Sequence, residues 1–222
     1  MRPVPALLLA AGLAGPAQAE PAPAFVDAGA WVPNLAVEMR YHGDRNFVGR
    51  PIAGYEAPRC LLTRAAATGL RRAQRSLAAE GLGLKVFDCY RPARAVADFV
   101  AWAADTADTA TKAEYYPGID KGDLFRLGYI AERSSHSRGS TVDVTLVGLA
   151  DGRERDMGTP FDFFGPASAP GSSLVTAAQS TNRHRLRRAM LRAGFVPYAE
   201  EWWHFTLRRE PFPTRIFDVP VR

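Results

Sequence analysis

The chain has 222 residues, with 28 Lys plus Arg against 23 Asp plus Glu and a formal net charge of +5. The excess is mild, and the arginines are scattered or in isolated pairs. A nucleic-acid surface needs a basic stripe with interleaved aromatics, which is absent, so nucleic acid is not an expected partner.

Residues 1–19, MRPVPALLLAAGLAGPAQA, read as a leader. Arg2 is the basic start, Ala6 to Ala14 the apolar run, and Ala17-Gln18-Ala19 a small-residue cleavage site. The run is too short for a permanent span, and no later stretch is long and apolar enough to be transmembrane. Loss of Arg2 with the leader lowers the charge to +4. The expectation is a signal peptide over 1–19 and one domain over 20–222, periplasmic or secreted, without stable membrane insertion once the signal is cut. In an oxidising compartment an even pair of cysteines favours a disulfide, here Cys60 with Cys89; two buried thiols are the alternative.

LAVEMRY alternates, with Leu35, Val37, Met39 and Tyr41 on one face, and predicts a strand. NFVGRPIAGY is a loop punctuated by Gly and Pro. From Leu61 to Leu82, apolar residues at helical spacing (Leu62, Ala66, Leu70, Ala73, Leu77) predict a helix stopped at Gly81 and Gly83. LKVFDCY reads as a strand, and Pro92 sits where a helix continuing through ARAVADFVAWAA would start. Residues 105–123 form a polar excursion.

TVDVTLV is the cleanest strand, with Val142, Val144 and Leu146 on one side and Thr141, Asp143 and Thr145 on the other. Residues 151–180, rich in Gly, Pro, Asp and Ser, predict a loop whose length points to function. Thr181-Asn182 are the expected cap of a helix with Leu186, Met190 and Ala193 on one face. WWHFTL alternates again: Trp203, Phe205 and Leu207 against Trp202, His204 and Thr206. Helices and strands mix without regular βαβ alternation, so the expected class is α+β, an antiparallel sheet flanked by helices.

The stretch EEWWHF, 200–205, sets carboxylates, indoles and an imidazole side by side. His204 lies on the polar side of its strand, as Asp143 does on TVDVTLV, so in one sheet both reach the same point above it. His136 precedes Asp143 by seven positions, with Gly139 letting the chain turn between them. Two imidazoles and one carboxylate are a three-ligand set for catalytic zinc, leaving a position for water. By spacing alone the pattern is loose. His42 and His184 read as surface or satisfied core residues, and Trp203 as a core anchor, with either indole able to wall a small dry pocket.

SSHSRGSTVDV resembles the S-x-H-x-x-G-x-x-x-D signature of the zinc D,D-peptidases, and E-x-x-H with Trp before the histidine resembles its second half. DCYRPARAV and MGTPFDFF resemble motifs of the D-alanyl-D-alanine dipeptidase subgroup of peptidase family M15, and the matches run from about Tyr41 to the chain end. The resemblance implies a Hedgehog/D,D-peptidase-like fold and one Zn2+ held by His136, Asp143 and His204. It implies Glu201 as catalytic base, Arg91 as the group steadying the carbonyl oxygen, and Ser134 and Asp162 as holding the substrate's amino end. The substrate so implied is a small D,D-dipeptide. Two other readings compete: a D,D-carboxypeptidase or endopeptidase on peptidoglycan stem peptides, and a zinc-stabilised binding module. Glu201 argues against the module, because holding zinc does not require that base. One departure is Thr141, where many relatives carry Ala; a small polar residue is expected to be tolerated there, hydrogen bonding around the ligands being the property open to change.

Overall fold

A computed structural model describes residues 25–222, so the leader read at 1–19 lies outside the described residues. In chain order the elements are β1 (Phe25–Asp27), α1 (Ala28–Trp31), β2 (Ala36–Val37), β3 (Leu61–Thr63), α2 (Arg64–Ala78), β4 (Leu82–Asp88), α3 (Ala93–Ala104), α4 (Lys112–Tyr115), β5 (Thr141–Gly148), α5 (Ala177–Arg192), β6 (Phe195–Pro197) and β7 (His204–Leu207). β1 and β3 pair as a small antiparallel ribbon. The main sheet has the order β2-β4-β5-β7-β6, antiparallel except for the parallel β2–β4 edge. The class is α+β, as the mixed pattern predicted.

Three expectations shift. LAVEMRY pairs only over Ala36–Val37 and then turns into a 3-10 helix at Arg40–His42, because Met39 and Tyr41 bury into the core without continuing the ladder. The helix expected from Leu61 begins at Arg64; Leu61–Thr63 pair with β1 first, and Thr63 then caps α2 by accepting from Ala66 N. The last helix starts earlier than Thr181. Thr176 and Gln179 form a reciprocal capping box at its N-terminus, satisfying donors that the first turn would otherwise leave open.

Ala66, Leu70, Ala73 and Leu77 of α2 are all essentially fully buried, each larger side chain contributing roughly 1.5–3 kcal/mol. α2 packs on α5 and on β4. The alternation of β5 sends Val142, Val144 and Leu146 away from Asp143, and each is 0% exposed. Both faces of the central strand are therefore covered. One apolar cluster runs from Ala28 to Val221. Among the described residues no helix is long and apolar enough to cross a membrane.

Cys60 and Cys89 form a disulfide with a sequence separation of 29, enclosing α2 and β4. Closing a loop of that length stabilises by about 3–4 kcal/mol in the chain-entropy model. Reduction should therefore lower the unfolding free energy by that amount and the denaturant midpoint with it, measurable by urea unfolding with and without reductant. An unchanged midpoint would mean the bridge contributes nothing.

Candidate active site

The site is assembled across three adjacent strands. Asp143 of β5 lies directly opposite His204 of β7. On its other side the β4–β5 register runs Lys85↔Thr145 and Val86↔Val144, then slips, so that Asp88 rather than Phe87 meets Asp143. Such a one-residue bulge re-aims a side chain that strict alternation would send elsewhere. Asp88, Asp143 and His204 thus form a row across the sheet.

His136 arrives from the 3-10 helix Ser135–Arg138, whose N-cap Ser134 accepts from His136 N through its hydroxyl. Gly139 ends that helix at φ 75°, where a Cβ would collide with the Phe25 ring. Glycine suits the position on both counts. His136 Nδ1 lies 2.7 Å from Cys89 O, so Nδ1–H donates to the carbonyl and Nε2 carries the free lone pair. The disulfide residue thereby helps set the ring's orientation.

His136 Nε2, His204 Nδ1 and Asp143 Oδ1 form a triangle with edges of 3.3, 3.2 and 3.3 Å. Two ligands about 2.0–2.1 Å from a tetrahedral ion stand about 3.3–3.4 Å apart, so these edges fit zinc. Asp143 Oδ1 is buried and makes no well-formed hydrogen bond despite the nearby nitrogens, as expected when three lone pairs converge on a common point. Burial alone would raise the Asp143 carboxyl, but the two histidines hold it well below the usual carboxylate range, keeping it an anionic donor. This chemistry suits a borderline-soft dication.

Glu201 flanks the triangle, with Oε2 3.6 Å from His204 Nδ1. Burial pushes its carboxyl up to about 8, the neighbouring His204 opposing and Asp143 adding to the effect. Arg91 leaves the end of β4 and is gripped by Asp88 Oδ2 through Nε at 2.9 Å and Nη2 at 2.8 Å. Its guanidinium lies over the Tyr41 and Phe99 rings and 3.8 Å from Asp143. Burial would lower the Arg91 pKa, but Asp88 and the other anions raise it well above the ordinary value. The charge is permanent and its direction fixed.

Asp162 sits at φ 62°, a strained setting for a non-glycine residue. It is buried and accepts from Tyr41 Oη at 2.8 Å. Burial and then the Asp143 charge raise its carboxyl well above the ordinary range. All seven residues singled out from the sequence for metal, catalysis or substrate (Arg91, Ser134, His136, Asp143, Asp162, Glu201 and His204) line one cavity of about 360 Å³.

Trp203 is the core anchor expected, 1% exposed, but neither indole walls the cavity. Tyr41, Phe47, Phe99, Tyr129, Phe164 and Tyr198 line the cavity, whereas Trp202 and Trp203 do not. Trp202 donates through Nε1 to Thr159 and Trp203 packs edge-on against Phe161, so both indoles anchor the long loop to β7. Thr141 is accommodated: its hydroxyl pairs with Thr206 at 2.9 Å across the strands, not with a triangle residue. Arg94 is engaged with Asp218. His42 faces the Tyr55 carbonyl and His184 is exposed on α5.

Sequence reasoning missed Asp88 and Tyr41. Asp88 is wholly buried, accepting from Tyr55 Oη at 2.6 Å as well as from Arg91. The D-x-x-R spacing in DCYR was the available signal, since an acid and a base three apart beside a turn can meet.

A nitrogen–oxygen triangle, buried at His136 and Asp143 and open at His204, with a carboxylate at its edge and a clamped guanidinium beyond it, equips a pocket for metal-assisted hydrolysis. Comparison with known proteins narrows that class. The family model for D-ala-D-ala dipeptidase, Peptidase M15, matches residues 22–222. A D-alanyl-D-alanine dipeptidase of Enterococcus faecium is 44% identical over 185 residues, covering 83% of this chain and 92% of that one. One of Streptomyces coelicolor is 42% identical over 198 residues, covering 89% and 97%. One of Escherichia coli is 33% identical over 183 residues, covering 82% and 84%. The chain belongs to the Peptidase M15 family and is a peptidase.

Proposed function

We propose that the protein hydrolyses D-alanyl-D-alanine to two D-alanines, with one zinc ion held by His136, Asp143 and His204. The observation that carries this reading is the converging triangle with Glu201 at its edge. Zinc there supplies a Lewis acid for the scissile carbonyl and lowers the pKa of bound water. Glu201 takes the proton of the attacking water and hands it to the leaving amine. Arg91 donates to the carbonyl oxygen as negative charge gathers on it, held for that purpose by Asp88. Asp162, aimed by Tyr41, accepts the substrate's ammonium, with Ser134 nearby. Pairing with that cation favours the ionised carboxylate that burial otherwise opposes. A small cavity with a buried anion supports a free dipeptide over a polymer end.

The disulfide supports the further reading that the protein works in an oxidising compartment, as the leader pattern implies. There it would meet dipeptide released by cell-wall turnover; recovery of the protein mainly from cytoplasm would overturn this part.

The deciding experiment measures D-alanine release from D-Ala-D-Ala by purified protein, with zinc quantified on the same sample and a stem pentapeptide run beside it. Rapid release with about one zinc per chain is expected. Cleavage of the pentapeptide alone would move the assignment to a carboxypeptidase, and zinc without cleavage of either to a binding module. His204→Ala, which breaks the triangle, should bind almost no zinc by elemental analysis; retained stoichiometry would remove His204 from the ligand set.

A further inference from the structure

A dipeptide has two charged ends, and the roles above provide for only one of them. The ammonium goes to Asp162. The C-terminal carboxylate lies three bonds beyond the scissile carbonyl carbon, hence within about 4 Å of the reacting atom. It must therefore be met on the cavity wall beside the triangle. Two arginines line that cavity, Arg91 and Arg133. Arg91 is committed: Nε and Nη2 both bind Asp88, and its remaining capacity faces the carbonyl oxygen. Arg133 is exposed at the rim and makes no hydrogen bond or ion pair among the described residues. It directly precedes Ser134 and stands two residues before Ser135, whose hydroxyl lies 3.3 Å from His204 Nε2. With Cα steps of about 3.8 Å, a guanidinium on that segment reaches the neighbourhood of the triangle.

We infer that Arg133 binds the substrate's C-terminal carboxylate and so makes a free C-terminus part of the specificity. The inference rests on the dipeptidase reading. A guanidinium matches a carboxylate with paired donors, and at the open rim it can meet the anion as the peptide enters. Peptides extended or amidated at the C-terminus lose that contact.

The test compares kcat/KM for D-Ala-D-Ala and its C-terminal amide in wild-type, Arg133→Ala and Arg133→Lys proteins. Wild type should prefer the free acid by about 10- to 100-fold, the range of a charge-assisted contact. In Arg133→Ala that preference should collapse to less than about threefold, chiefly through a raised KM for the acid, while Arg133→Lys keeps most of it. Equal loss for both peptides would mean that Arg133 shapes the cavity without reading charge. An intact preference in Arg133→Ala would place the carboxylate elsewhere. Either result overturns the inference. Cleavage of neither peptide by wild type would instead overturn the dipeptidase reading, and the inference with it.

Discussion

Glu201→Ala should keep its zinc and lose turnover by about 10²- to 10⁴-fold, the range for removing a positioned general base. The separation follows from geometry. The triangle closes through His136, Asp143 and His204 without Glu201, whose carboxylate stands 3.6 Å to one side. Elemental analysis beside a rate assay tests it, and loss of zinc with activity would make Glu201 a ligand.

A second signature of the same residue appears in the metal-free protein. Burial places the Glu201 carboxyl at about 8 against an ordinary 4.5. The folded state therefore binds the proton more tightly than the unfolded chain. The associated stability is fully present below about pH 4.5 and is lost as pH rises through 8, on the order of a few kcal/mol. Metal-free wild type should thus lose more thermal stability between pH 5 and 9 than Glu201→Gln, which has no proton to release. Parallel pH curves would show that the carboxyl ionises as freely as a solvated one. Bound zinc opposes the effect, drawing the carboxyl back toward the ionised form that the base requires.

Much of the site was legible because strand parity is a local property. The alternation of TVDVTLV and WWHFTL put Asp143 and His204 on the polar faces, and pairing those strands made them neighbours. Burial alternation does not report hydrogen bonding, however. In LAVEMRY, Met39 and Tyr41 are buried at every second position, yet past Val37 only Glu38 N continues toward Val86 O. The bulge at Phe87 is equally silent in LKVFDCY, since an extra residue shows only against a partner strand. EEWWHF misled for a related reason. Adjacency of Glu201 to two indoles looked like a dry wall, but in the bend before β7 both indoles turn into the protein, Trp202 to Thr159 and Trp203 onto Phe161. The actual wall combines Tyr41, Phe47, Phe99, Tyr129, Phe164 and Tyr198, drawn together from segments far apart in sequence by tertiary packing.

Arg91→Ala should cost both catalysis and stability, and the two losses have different origins. Removing a fixed donor from the developing oxyanion lowers kcat by about 100- to 1000-fold. The same change strands Asp88, which is 0% exposed and takes both guanidinium contacts on Oδ2. Breaking a buried pair from one side destabilises by about 3–5 kcal/mol. Arg91→Lys separates the terms. An ammonium can still neutralise Asp88, so most of the stability should return, but it cannot bind that carboxylate through two nitrogens while facing the substrate. The lysine variant should therefore remain at least about 10-fold slow in kcat while unfolding near the wild-type midpoint. Rates and urea midpoints measured on the three proteins decide the matter. Full recovery of kcat in the lysine variant would show that only net charge is needed at that point. Recovery of neither quantity would show that the paired geometry with Asp88 holds the end of β4 itself, and with it the Cys89 carbonyl that orients His136.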